Sequence, residues 1–237
     1  MKTKKDLFSK LLIEKSKKGR EDGAYSRLFG NNELGALISR IHATSISAGT
    51  FLEHYIACFA PLLDEEKIPQ IFNNTLEKSV FLITKKSIKN KITPFLQLDK
   101  AVEPDFIIID SLRHKCLVIE LKDGDNFDTK KSSGEVKNLK YYQNAISQKL
   151  PYPWIAEIKI CMFNQNEKSK IVNGFRNTIS EAEAMSGDEF CKILGISKDT
   201  IIQARTEAHN PNLDFVLREL LRITICSEKI KAILKDR

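Results

Sequence analysis

The stretch Glu103-Pro104-Asp105-Phe106-Ile107-Ile108-Ile109-Asp110, followed after a polar pause by Cys116-Leu117-Val118-Ile119-Glu120-Leu121-Lys122, decides how this chain folds. Both runs are β-branched or aromatic and almost continuously apolar, as strands covered on both faces are. The intervening Asp110-Ser-Leu-Arg-His-Lys115 is polar enough to hold a turn, so the two runs read as an antiparallel hairpin. Centring a two-residue loop on Leu112 and Arg113 sets Asp105 directly opposite Glu120. Opposed side chains share a face with Cβ atoms about 5 Å apart. Lys122 lies two residues beyond Glu120 and therefore points to the same face.

This register gathers two carboxylates and an ammonium at the end of an apolar sheet. Like charges that close repel, so one carboxyl must take up a proton or a cation must sit between them. Hard oxygen donors suit Mg²⁺ or Mn²⁺. A metal there can bind a phosphate oxygen and activate a water, which Lys122 orients or deprotonates. A surface ion pair at a hairpin end is the plainer alternative. It does not call for Pro-Asp before one apolar strand together with Glu-x-Lys closing the next.

Further strands are expected at Ser79–Thr84 and Glu157–Phe163, with a helix over 135–148 carrying Leu139, Tyr142 and Ile146. Strand, strand, helix, strand predicts an α/β fold: a mixed central sheet flanked by helices. Upstream, the apolar spacing predicts helices at 33–44 and 48–60, interrupted at Ser45–Gly49 and ended by Pro61. Leu7, Leu11 and Leu12 suggest a short amphipathic helix over 7–17. The last quarter reads as helical. Ser186-Gly-Asp-Glu189 is a capping-box sequence, and Asn210-Pro211 opens a final helix carrying Phe215 to Ile225.

Composition narrows the function. The 237 residues are 42% hydrophobic and 29% charged, enough for one core or one core with a small subdomain. Neither a membrane-spanning run nor a signal peptide is read in the chain. A phosphate-cradling G-x-x-x-x-G-K-[ST] loop is absent, which argues against an ATP-driven motor. Five cysteines without C-x-x-C spacing suit free thiols in a reducing, cytoplasmic setting. Net charge is +7, and residues 1–27 hold nine Lys/Arg against four Asp/Glu. The first 30 residues are therefore expected to be a basic arm, suited to a polyanion or simply a solvated face, with residues 31–237 as the main domain.

Pro104-Asp105, fourteen residues, then Glu120-Leu-Lys122 resembles the PD-(D/E)xK nuclease superfamily, and within it the type II restriction endonucleases. The resemblance implies that Asp105 and Glu120 bind Mg²⁺, with Mn²⁺ able to substitute, and that Lys122 serves the attacking water. It adds Glu53, in Gly49-Thr-Phe-Leu-Glu53, as the acidic helix position and further metal ligand of many such nucleases. It also adds Gln143, in Tyr141-Tyr142-Gln143, as a site-facing residue on the later helix. The implied reaction is sequence-specific cleavage of double-stranded DNA to 5′-phosphate and 3′-hydroxyl ends. A duplex site has two strands and one chain has one site, so a homodimer is expected.

Lys130 and Lys131 are placed to meet the phosphate backbone or to lie in a solvated loop. Phe190 to Ile202 resembles a helix-turn-helix that sets the helix from Lys198 in a major groove, though a capped helix and a plain turn give the same letters. Asp123-Gly-Asp125-Asn-Phe127-Asp128 departs from the calcium-loop pattern at its fifth, sixth and twelfth positions. The alternatives are a repair or recombination nuclease of the same fold, or a non-catalytic DNA-binding regulator using residues 186–208.

Overall fold

The structure, a computed structural model, describes residues 8–98, 102–124 and 132–236. The chain divides into two compact units, residues 56–198 and residues 8–55 with 199–236. Helices of eight residues or more are labelled α1–α6.

The first of these units is built on the two apolar runs. β1 (Val80–Thr84), β2 (Phe106–Asp110), β3 (Lys115–Lys122), β4 (Ile155–Met162) and β5 (Ala184–Ser186) form one mixed sheet in that order among the described residues. β1, β2 and β3 are antiparallel, and β3, β4 and β5 are parallel. The β2–β3 register pairs Phe106 with Ile119 and Asp110 with Lys115, as the sequence predicts. The turn is four residues rather than two. Asp110 holds it by accepting the Arg113 backbone N–H at 3.1 Å and its guanidinium at 2.8 Å, and His114 takes a positive φ of 54°.

A parallel β3–β4 pair needs a crossover, and α2 (Ser132–Ser147) supplies it. Its Val136, Leu139, Tyr142 and Ile146 are buried against Val118, Ile158 and Ile160 of the sheet. The opposite face carries α3 (Gly187–Leu194), which begins with the expected capping box between Ser186 and Glu189. Phe190 is fully buried there, its ring 6.0 Å from that of Phe106. α3 can start this close to the sheet because Gly187 has no side chain. A Cβ there meets the Phe163 carbonyl oxygen at 2.1 Å. β5 escapes sequence reading because three residues, Ala-Met-Ser, show no period.

The second unit holds most of α1 (Asn32–Phe59) and α4 (Lys198–Thr206), with α5 (His209–Arg222) and α6 (Thr224–Lys235). α1 is one helix where the sequence predicts two. Thr44 and Ser47 donate their hydroxyls back to the carbonyls of Arg40 and Ala43, at 2.9 and 3.0 Å, and so stop competing with the helix. The predicted final helix is split at Ile223, which is extended (ψ 111°) and buried. Of the helix predicted over 7–17, Leu7 lies outside the described residues, and the described part forms two single 3₁₀ turns, Ser9–Leu11 and Ile13–Lys15. Tertiary partners take its backbone groups. Asn212 accepts the Ile13 N–H and donates to the Leu11 carbonyl, each at 2.8 Å, and Arg40 donates to the carbonyls of Glu14 and Ser16. The described part of the basic stretch is thus anchored in its unit, with Leu11 and Ile13 buried. No helix of the described residues is long and apolar enough to cross a membrane.

Phe190→Ala deletes a fully buried ring at the helix–sheet contact. It is expected to lower unfolding free energy by about 3–5 kcal/mol, read as a fall in the denaturant midpoint with the slope unchanged. A loss under about 1 kcal/mol contradicts the packing described.

Candidate active site

The site forms because neighbouring strands end at different places. β2 stops at Phe106, while β3 runs on to Lys122. Beyond Phe106, the β3 edge has lost its backbone partner. The Asp105 carboxylate takes that place: Oδ2 accepts the Leu121 backbone N–H at 2.9 Å. Asp105 is buried and locked by this bond, and the register continued by one residue sets it opposite Glu120.

Its other oxygen, Oδ1, accepts from the Lys85 ammonium at 2.9 Å. Lys85 immediately follows β1. Thr84 pairs with Phe106, so the same antiparallel count brings Lys85 to Asp105. Glu120 and Lys122 project from β3 on the face that α2 covers. Lys122 Nζ donates to Glu120 Oε1 at 2.7 Å and lies 3.1 Å from the Glu135 carboxylate on the first turn of α2. The cluster therefore runs Lys85–Asp105, Glu120–Lys122–Glu135.

Burial pushes the Glu120 carboxyl up to about 7, and the charges on Asp105 and Glu135 add to that push against the relief from Lys122. Lys122 is itself displaced upward. Burial disfavours its ammonium, but the pairing with Glu120 and Glu135 outweighs burial, so Lys122 is protonated at neutral pH. Among the described residues the cluster holds three carboxylates against two ammonium groups, and its oxygens are hard donors. That fits a Mg²⁺- or Mn²⁺-type cation better than a soft metal. No three His, Cys, Asp or Glu side chains converge as a cage among the described residues, so the donors on offer are the Asp105–Glu120 pair.

The other sequence-nominated residues are not gathered with this cluster within its unit. Gln143 donates to the Ala156 carbonyl at 2.9 Å. Ala156 pairs with Cys116, whereas Glu120 pairs with Ile160, so Gln143 sits at the far end of β4 and does not join the cluster. Glu53 is half-buried on α1, in the unit that does not contain the trio. Lys198 is drawn inward. Its ammonium bonds to Asp188 at 3.0 Å and Asn166 at 3.2 Å, and its side chain is only 13% exposed, so it braces α3 rather than offering a free charge. Its segment does form two helices about a left-handed Gly195 (φ 66°). Lys130 and Lys131 lie outside the described residues.

Sequence reading missed Lys85 and Glu135. Lys85 was within reach of the same arithmetic applied one strand further out. Glu135 carried no local signal, because the pitch of the crossover helix brings it to Lys122.

The chain is 38% identical over 220 residues to the type II restriction enzyme HhaII of Haemophilus parahaemolyticus, an alignment covering 90% of this chain and 95% of that protein. No family model matches the chain. No solved structure matches it. Identity of this order along nearly the whole of both chains, on a mixed sheet flanked by helices, reflects common descent: the chain belongs to the type II restriction enzymes, the type II site-specific deoxyribonucleases.

Proposed function

We propose that this protein is a PD-(D/E)xK-type, Mg²⁺-dependent endonuclease that cuts both strands of a specific DNA sequence to leave 5′-phosphate and 3′-hydroxyl ends. The observation that carries the proposal is the opposition of a buried Asp105 carboxylate and a largely buried Glu120 carboxylate, beside the Lys122 ammonium. Two such carboxylates and an ammonium have no packing role that apolar residues do not fill better.

Asp105 and Glu120 hold the cation. When bound, the cation supplies Lewis-acid polarisation of a phosphate oxygen and lowers the pKa of a bound water. Lys122 enters as a hydrogen-bond donor that orients the attacking water and meets charge developing on the phosphate. Glu135 keeps that ammonium from collapsing wholly onto Glu120. The basic stretch before residue 30 adds phosphate attraction at long range.

Glu120→Gln keeps the shape and removes the charge. Cleavage of plasmid DNA in Mg²⁺ is expected to fall at least about a hundredfold, while gel-shift binding in Ca²⁺ persists. Cleavage at wild-type rate by this variant overturns the assignment.

A second expectation concerns pH. The Glu120 carboxyl titrates near 7 in the folded protein, against 4.5 for the ordinary side chain. Between those values the folded state binds the extra proton, so cation-free stability falls as pH rises through the window and stays low above about 7. Protons and cation compete for one carboxyl. Cleavage should decline below about pH 7, and its midpoint should move to lower pH as Mg²⁺ is raised. A midpoint indifferent to Mg²⁺ concentration sinks this account.

A third concerns assembly. One site per chain and two strands per target make a two-fold dimer the economical arrangement. Mixing wild type with excess Lys122→Ala protein is expected to yield nicked circles from mixed dimers. Linear product alone, falling only in proportion to dilution, indicates a chain that cuts both strands by itself.

A further inference from the structure

We infer that Lys85 is a resident counter-cation of the metal site: its ammonium occupies Asp105 Oδ1 when no metal is bound, and an incoming divalent cation must displace it. The inference rests on the metal-site reading above and concerns how readily that site takes a cation.

Asp105 cannot turn away from the site. Its side chain is 7% exposed, and Oδ2 is tied to the Leu121 N–H. A buried carboxylate facing Glu120 needs a positive neighbour. Lys122 is engaged by Glu120 at 2.7 Å and Glu135 at 3.1 Å. Lys85 meets Asp105 at 2.9 Å. With Glu120 ionised, three carboxylates against two ammonium groups leave the cluster one net negative charge.

The two members of the pair differ in freedom. The Lys85 side chain is 46% exposed and reaches Asp105 from the edge of the sheet, just after β1 ends. Its half-exposed stem leads out to water, whereas Asp105 is fixed by the Leu121 N–H. Both cannot serve Oδ1 at close range, since an ammonium and a divalent cation on one oxygen repel. Metal affinity is therefore set partly by the bond that has to be broken. The carboxylate is kept oriented before metal arrives, and weak cations are discouraged.

The test measures metal binding to the full-length protein without DNA, by calorimetric titration with Ca²⁺ and with Mn²⁺ at pH 8 and low salt. Lys85→Met, which keeps the aliphatic stem, is expected to bind either metal about tenfold more tightly than wild type, since a charge-assisted bond and a repulsion are both removed. Its metal-free melting temperature should fall, and the rise on adding metal should exceed that of wild type. Lys85→Arg should restore wild-type affinity, and the gap between Lys85→Met and wild type should narrow as salt rises. A structural role alone would lower the metal-free melting temperature without tightening metal binding, and that result overturns the inference. Unchanged or weaker affinity in folded Lys85→Met, with wild type binding normally, overturns the inference and leaves the metal-site reading standing. Failure of wild type itself to bind either metal overturns both.

Discussion

Two carboxylates opposed on one face of a hairpin repel, and burial sharpens the repulsion because little water is left to screen it. Asp105 and Glu120 stand in that relation, and the surrounding site is organised by the need to keep them together. The rigid ladder from Phe106–Ile119 to Asp110–Lys115 stops them from moving apart. One ammonium comes from each side, Lys85 from β1 and Lys122 from β3. The residual strain appears in Glu120, which is held near 7 where an ordinary glutamate ionises at 4.5.

The apolar sheet is what lets such a cluster persist. Ile107, Ile109, Val118, Ile158 and Ile160 pack against α2 on one side, and Phe106 and Phe190 meet on the other. The α2 face is thereby closed to water, and the other is closed around Phe106 and Phe190. The Asp105–Glu120 cluster forms at the point where β2 has stopped and β3 has not. There a carboxylate oxygen substitutes for a missing strand by accepting the Leu121 N–H. The crossover helix, required because β3 and β4 are parallel, opens with Glu135 and completes the cluster from above the sheet. Membership of the type II restriction enzymes gives this arrangement its context: a charged cluster at a strand end, on a molecule whose net charge, +7, favours DNA.

The sequence alone determined the hairpin, its register and the convergence of Asp105, Glu120 and Lys122, because strand pairing obeys a period of two over a span of eighteen residues. It determined β1, β4, α2 and the α3 capping box for the same reason: each is a local pattern of branched, apolar or capping residues. Tertiary structure decided what local pattern cannot carry. Residues 9–15 wind into 3₁₀ turns rather than a helix, their segment bonded by Asn212 and Arg40, partners remote in sequence that took its backbone hydrogen bonds. α1 stayed whole because two hydroxyls folded back onto it, and the last helix broke where burial of Ile223 outweighed helix continuity. Gln143 and Lys198 looked free as letters and proved to be bonded to Ala156 and to Asp188. Lys85 and Glu135 looked like solvated charges and proved to be the counter-ions of the site. A side chain's chemistry belongs to the residue, but its partner is fixed by the packing of elements far apart in the chain, and packing alone chose which charges meet.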